Sequence, residues 1–306
     1  MFAPDFIAQT TNHHQQVAAA PITVRSFLQP SPWVLVPNGS FNGYFDWVDP
    51  KLRVGRWSVG ACIAFPLIVA SLFVYMPASV MSATIASFNS PPLFKRYWYY
   101  NVAASIWMAF VLGRNIYQEG WVVPFTTFTV WAWVMLLIRH ALSAFVIPVV
   151  VGGSRLGELT ILIAEALRVP SLLNAVVVFV VWNLMLAPAI YLTMETPEKQ
   201  KQFVGWLFQF NLLNQHGLNL PLAVASSIIT GPRAFADADL WFAMLTLVVY
   251  FAFYLLVLDR VGVHLYPIFS PRPSYSVVIW FAVAVGYYGL FRWVQSRVLE
   301  YLTYRS

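Results

Sequence analysis

Seven stretches of this chain are apolar for long enough, or nearly long enough, to cross a lipid bilayer: roughly 57–80, 98–116, 122–150, 166–193, 203–230, 240–258 and 276–295. A spanning helix needs about 20 mainly apolar residues, because hydrocarbon offers the backbone no hydrogen-bond partner and a helix satisfies its own. Composition agrees. Of 306 residues, 59% are hydrophobic and only 10% charged, with a mean hydropathy of +0.67, against about 25% charged in soluble domains. The 13 Trp and 15 Tyr suit a chain with many membrane-water boundaries, where amphipathic rings collect. The expected fold is all-α: a polytopic membrane helical bundle of about seven transmembrane helices.

The formal net charge is +6, but Lys and Arg are scattered through the connections and form no basic run of the kind a phosphate backbone requires, so no nucleic-acid partner is expected. They divide almost evenly between the two sides of a seven-span chain, and the positive-inside rule fixes no orientation. Cys62 is the single cysteine and lies in an apolar stretch, which excludes an intramolecular disulfide and a cysteine-based metal site. His13 and His14 lack further ligands nearby and read as a solvated pair. No metal or cofactor is expected, and there is no internal repeat, phosphate-cradling glycine loop or serine elbow.

Residues 1–56 differ in kind. They are rich in Pro, Gln, Asn and aromatic residues (TNHHQQ, QPSPWVLVP) and lack any period long enough to build a core. Alone they should be extended and mobile, ordered only by the membrane face or a partner. They also lack the apolar core of a cleavable signal. Asn38-Gly39-Ser40 reads as a turn, and as a glycosylation sequon only if that side is lumenal. The organisation expected is an extended non-membrane segment over 1–56, a first transmembrane helix with its linker over 57–97, and a six-helix membrane domain over 98–306.

Polar residues inside spans are the functional candidates, because each needs a partner or a cavity. In the third stretch Arg139 reads as a snorkelling anchor at the interface, where the span should end, with His140 beside it as a candidate base. The fifth stretch carries LLNQHGLNLP over residues 212–221. At about 100° per residue, Gln209, His216 and Asn219 share a face and Asn214 points nearly opposite. Pro221 cannot donate to Gly217, so a kink is expected there. His216 is the residue to single out, either as a catalytic or ligand-binding imidazole or as a structural bond between helices. A histidine base needs something to deprotonate. Thr126, Thr127 and Thr129 in PFTTFTVW form the one dense hydroxyl cluster at the mouth of a span, and they equally suit a helix cap after Pro124.

The order PFTTFTVW, ALRVPSLLNAVVVFVVW, LLNQHGLNLP and YFAFYLLVLDRVGVHLYPIF resembles the androgen-induced and androgen-dependent TFPI-regulating protein family, threonine hydrolases of fatty-acid esters of hydroxy fatty acids. The likeness covers about residues 98–295, a six-helix core, and leaves 1–97 with the first span as an addition. It rests on the spacing of His216 to Pro221 and on Tyr266-Pro267 fifty residues after that histidine. The resemblance implies Thr127 as nucleophile, His216 as catalytic base, membrane lipids as substrates and the endoplasmic reticulum as location. Asn214 and Asn219 are the candidates for oxyanion donor. The sequence departs from the family in Gly217, Leu218 and Asn219, which replace a Thr-rich stretch, and in Ser226, where an acidic residue is usual.

Two function classes follow. One is an integral membrane lipid-ester hydrolase. The other is a non-catalytic accessory subunit on the same scaffold, held through residues 1–97 to partner subunits of a large membrane assembly, for example a respiratory or ATP synthase complex of the mitochondrial inner membrane. Haem ligation by pairs among His140, His216 and His264 is the least favoured reading.

Overall fold

The computed structural model describes residues 50–53, 55–75, 97–119, 124–146, 155–192, 196–229, 233–260 and 263–304. The readings made above for His13, His14 and the Asn38 sequon lie outside them. Among the described residues all regular structure is helical. In chain order the helices are α1 Val59–Tyr75, α2 Trp98–Glu119, α3 Phe128–Ala141, α4 Arg155–Ala166, α5 Arg168–Val180, α6 Pro197–Leu207, α7 beginning at Phe210–Leu212, α8 Asp237–Phe253 and α9 Ser276–Thr303. Wide π-helical turns extend α3 (Leu142–Val146), α5 (Val181–Leu186, then Ala187–Leu192), α7 (Leu213–Leu218) and α8 (Tyr254–Leu258).

Four helical runs are long and apolar enough to cross a membrane, Phe128–Phe145, Leu159–Leu192, Asp237–Leu258 and Ser276–Thr303, and they mark an integral membrane protein. The other three expected spans are each different for a physical reason. Helix α1 has 17 residues, about 25 Å at 1.5 Å per residue, against a hydrocarbon core of about 30 Å. Helix α2 has 22 residues but carries Asn101, Ser105, Arg114 and Asn115 among its apolar ones. The fifth stretch is broken: α6 stops at Leu207, and Gln209 adopts extended backbone (φ −64°, ψ 147°) before α7 begins. The face predicted for a continuous helix therefore loses Gln209, which is the residue before α7 and not a turn of the helix that holds His216.

The described residues form two compact units, one of those up to 71 with those of 247–286 and the other of those of 72–246 with those from 287 onward. In the first, the residues leading into α1 dock on the connection that follows α8. Asp259 is buried there and its carboxylate gathers Arg272 (2.6 and 3.2 Å) and the Trp57 indole N–H (2.9 Å). Ser58 N–H donates to the Pro271 carbonyl at 2.9 Å, and the Ser270 hydroxyl to the Leu52 carbonyl at 2.6 Å. A buried carboxylate is stable only when paired and hydrogen-bonded, so Trp57 and Arg272 together explain why an Asp is tolerated at the end of α8. The Tyr254 hydroxyl lies 3.2 Å from both the carbonyl and the N–H of Tyr266, which fixes the Tyr266-Pro267 segment.

In the second unit α3 is the central helix, packed against α2 and α5, and α5 in turn packs against α7. Trp133, Leu136, Leu172, Leu173 and Met108 are fully enclosed between them. Asn174, on the buried side of α5, accepts from the Tyr287 hydroxyl at 2.8 Å, which satisfies this polar residue within the core.

Candidate functional site

The LLNQHGLNLP stretch forms an irregular segment of α7. Pro221 has no N–H to return to Gly217, and just before it lies the π-helical turn Leu213–Leu218, closed by the Asn219 N–H reaching back five residues to the Asn214 carbonyl. Such turns widen a helix and recur at functional sites. This one buries Asn214, Gln215 and His216, while Leu213 and Leu218 on its other flank are 49% and 42% exposed. The turn therefore sits at the edge of the unit, with its polar side inward.

The His216 ring lies flat on Trp182, with centroids 4.3 Å apart and planes at 21°. Trp182 belongs to the π-helical turn of α5, and Trp206 meets it in a T-shaped contact with centroids 5.9 Å apart. The neighbouring Asn183 amide donates to the His216 carbonyl at 3.1 Å and to the Phe179 carbonyl at 2.9 Å. Two widened turns are thus bridged backbone to side chain, and the imidazole is held by stacking alone. His216 is 8% exposed, and its Nδ1 is buried without a hydrogen-bond partner.

Its neighbours on the same face share this property. Gln215 Nε2 and both side-chain polar atoms of Asn219 are buried and unpartnered, in residues only 5% and 1% exposed. Positions 215 and 219, four apart, and 216 and 219, three apart, are surface neighbours on a helix. Asn214 is different: its Oδ1 accepts from the Trp107 indole at 2.9 Å and its amide donates to the Phe210 carbonyl at 2.8 Å. Of the two oxyanion candidates, Asn219 has an uncommitted amide and Asn214 does not.

Thr127 caps α3. Its backbone is extended (φ −95°, ψ 140°), its hydroxyl accepts from Val130 N–H at 3.3 Å, and the same hydroxyl donates to the Pro124 carbonyl at 3.0 Å. It is half-buried, whereas Thr126 and Thr129 are buried. The π-helical turn carrying His216 packs against α3. Among the described residues no hydrogen bond joins Thr127 to His216, because the hydroxyl is turned onto its own helix end.

Arg139 and His140 are both buried within the protein. Arg139 is 3% exposed and donates from Nε to the Ala164 carbonyl (3.2 Å) and from Nη1 to the Ser226 carbonyl (2.9 Å) and hydroxyl. His140 is enclosed, with Nδ1 2.9 Å from Asn101 Oδ1. The guanidinium does not reach out to solvent as a snorkelling side chain would, because α3 continues past Arg139 and tertiary partners meet it. Those partners belong to an ionic cluster that the sequence reading left out. Glu165 binds Arg168 (2.5 Å) and Arg233 (3.0 Å), and Arg233 makes two 2.7 Å bonds to Asp239. Burial opposes the Arg233 charge, but the hydrogen bonds and charges of Asp239 and Glu165 outweigh it and hold the guanidinium above its ordinary range. The available signal was Glu165 and Arg168, opposite charges three apart at the edge of an apolar run.

Counting side chains, three Arg (139, 168, 233) face two carboxylates (165, 239). Ser226 touches the Arg139 guanidinium at the position where the resembled family carries an acid. Ser226→Asp is therefore expected to raise thermal stability by several degrees, since a hydrogen bond to a charged group contributes about 1.5–3 kcal/mol. A melting curve in detergent checks this, and a drop in Tm would show that the added carboxylate is not met by Arg139.

No protein-family model, no curated protein and no solved structure matches this chain.

Proposed function

We propose that the protein is a membrane-embedded lipid-ester hydrolase with Thr127 as nucleophile and His216 as base, a member in kind of the family its sequence resembles. One observation carries the reading: His216 is a buried imidazole with no hydrogen bond to the protein, set in a widened turn against the helix that Thr127 begins. A structural histidine between helices would be hydrogen-bonded. A general base is left open for a proton.

In the reaction, the Thr127 hydroxyl leaves the Pro124 carbonyl and turns to His216. As the Oγ–C bond forms at the ester carbonyl, the Oγ proton passes to the imidazole and the carbonyl π pair moves onto oxygen. Collapse breaks the bond to the alcohol, which takes that proton from His216. Water then repeats the sequence on the acyl-threonine, and the fatty acid leaves. The ester is drawn from the bilayer, and the seven-segment topology and the endoplasmic reticulum go with this reading.

The cap favours a second reading. A hydroxyl committed to Pro124 and Val130 suits a scaffold that has kept the fold without the chemistry, an accessory subunit of a mitochondrial inner-membrane assembly. Incubating the protein in nanodiscs with a fatty-acid ester of a hydroxy fatty acid separates the two. Hydrolysis, with an acyl adduct on the Thr127 peptide by mass spectrometry, is the expected result. No turnover, together with stoichiometric partners after mild solubilisation, would establish the scaffold.

A further inference from the structure

We infer that Gln215 and Asn219 form a binding site for the carbonyl or carboxyl oxygen of a long-chain acyl group. Buried amides without partners are rare, because an unmet donor has lost its water without gaining a bond and most buried polar atoms are satisfied. Here three such atoms, Gln215 Nε2 and the Asn219 Nδ2 and Oδ1, fall on adjacent positions of one helix face, beside a fourth on His216. Single unpartnered atoms occur elsewhere among the described residues, such as those on Asn211, His140 and Trp280, but only here do several fall together, and the side chain of the adjacent Asn214 is bonded to Trp107 and Phe210. A structural role would have closed these bonds within the protein. Amide N–H groups that the fold leaves open and holds in place are donors waiting for an acceptor from outside, and they need no reorganisation when it arrives.

Chemistry and surroundings select the acceptor. Two neutral primary amides suit a single carbonyl or carboxylate oxygen, and offer none of the charge that a phosphate would require. The exposed Leu213 and Leu218 flank the same turn and give an acyl chain an apolar surface on α7 beside the patch. Gln215 takes the place that Asn214 held among the expected donors, because its amide is open and Asn214's is not. The site deepens the hydrolase reading, in which it would hold the oxyanion, but binding itself depends on no step of that reaction.

The test uses the full chain in nanodiscs with Thr127→Ala, which cannot form an acyl-enzyme, and two probes, [1-13C]oleate and [1-13C]methyl oleate. At least one probe is expected to show a saturable shift of its labelled carbon, weakened tenfold or more by Gln215→Met and by Asn219→Leu. Response to both probes assigns a carbonyl site, and response to oleate alone a carboxylate site. Removing unmet polar atoms should also raise the Tm of Asn219→Leu, which separates loss of a site from loss of the fold. Absence of a saturable shift with either probe, or affinities unchanged in both variants, would overturn the inference. Hydrolysis by the wild-type protein is scored separately, so a binding site without turnover refutes the hydrolase reading and leaves this one standing.

Discussion

Thr127→Asn is expected to leave the protein as stable as wild type and to abolish ester hydrolysis. Position 127 has two separable duties: it caps α3 through its side-chain oxygen, and in the proposed reaction it supplies the nucleophile. Asn is as good an N-cap as Thr or better, but it has no hydroxyl to acylate. Thr127→Ala should lose both functions, with about 1 kcal/mol of stability gone with the cap. Thr127→Ser should keep both. His216→Gln, which retains a polar side chain of similar reach, is expected to lower turnover by about 10²–10⁴-fold, the usual contribution of a general base. Melting curves and hydrolysis rates on the four variants are the measurement. Wild-type turnover in Thr127→Asn would remove the nucleophile from the proposal and leave Thr127 as a cap alone.

The helical membrane architecture was legible because run length and apolar content report directly on what a bilayer demands of a helix. Pro221 was legible as a lost N–H one turn back, but the widened turn Leu213–Leu218 that precedes it has no signature in the local pattern. The break at Gln209 was not legible either. Phe208-Gln209 carries neither Gly nor Pro, and only the extended backbone at Gln209 shows that α6 and α7 are separate. Arg139 was misplaced for a related reason. Hydropathy treats a charge in a span as an end of the span, whereas the Ala164 and Ser226 carbonyls, 25 and 87 residues away, receive it inside the unit. Long-range partners of this kind have no signature in a local pattern. The same limit applies to Gln215: only the full set of hydrogen bonds shows that it lacks a partner while Asn214, one residue earlier, has two.

Glu165→Gln is expected to destabilise the protein by about 3–5 kcal/mol, the penalty for removing one partner from a buried ion pair. Glu165 is buried and bridges Arg168 and Arg233, and the neutral amide would leave that guanidinium pair with less compensating charge. The loss should also reach the site. Arg139, from the far end of the helix that Thr127 begins, holds Ser226, ten residues beyond His216. Arg168 and Ser227 are joined as well, through the Ser227 hydroxyl on the Arg168 carbonyl at 3.0 Å. The ionic cluster therefore sets how α3, α5 and α7 lie against one another, and a shift of about 1 Å in such a register can reduce turnover about 10²-fold. Unfolding in graded SDS measures the stability, and hydrolysis below the unfolding range measures the register. Glu165→Gln/Arg168→Gln should be less destabilised than the sum of the two single changes, because the pair is then neutral on both sides. A single variant within about 1 kcal/mol of wild type would mean that water reaches the cluster, since that is the value of an exposed pair, and the alignment of Thr127 with His216 would then have to come from helix packing alone.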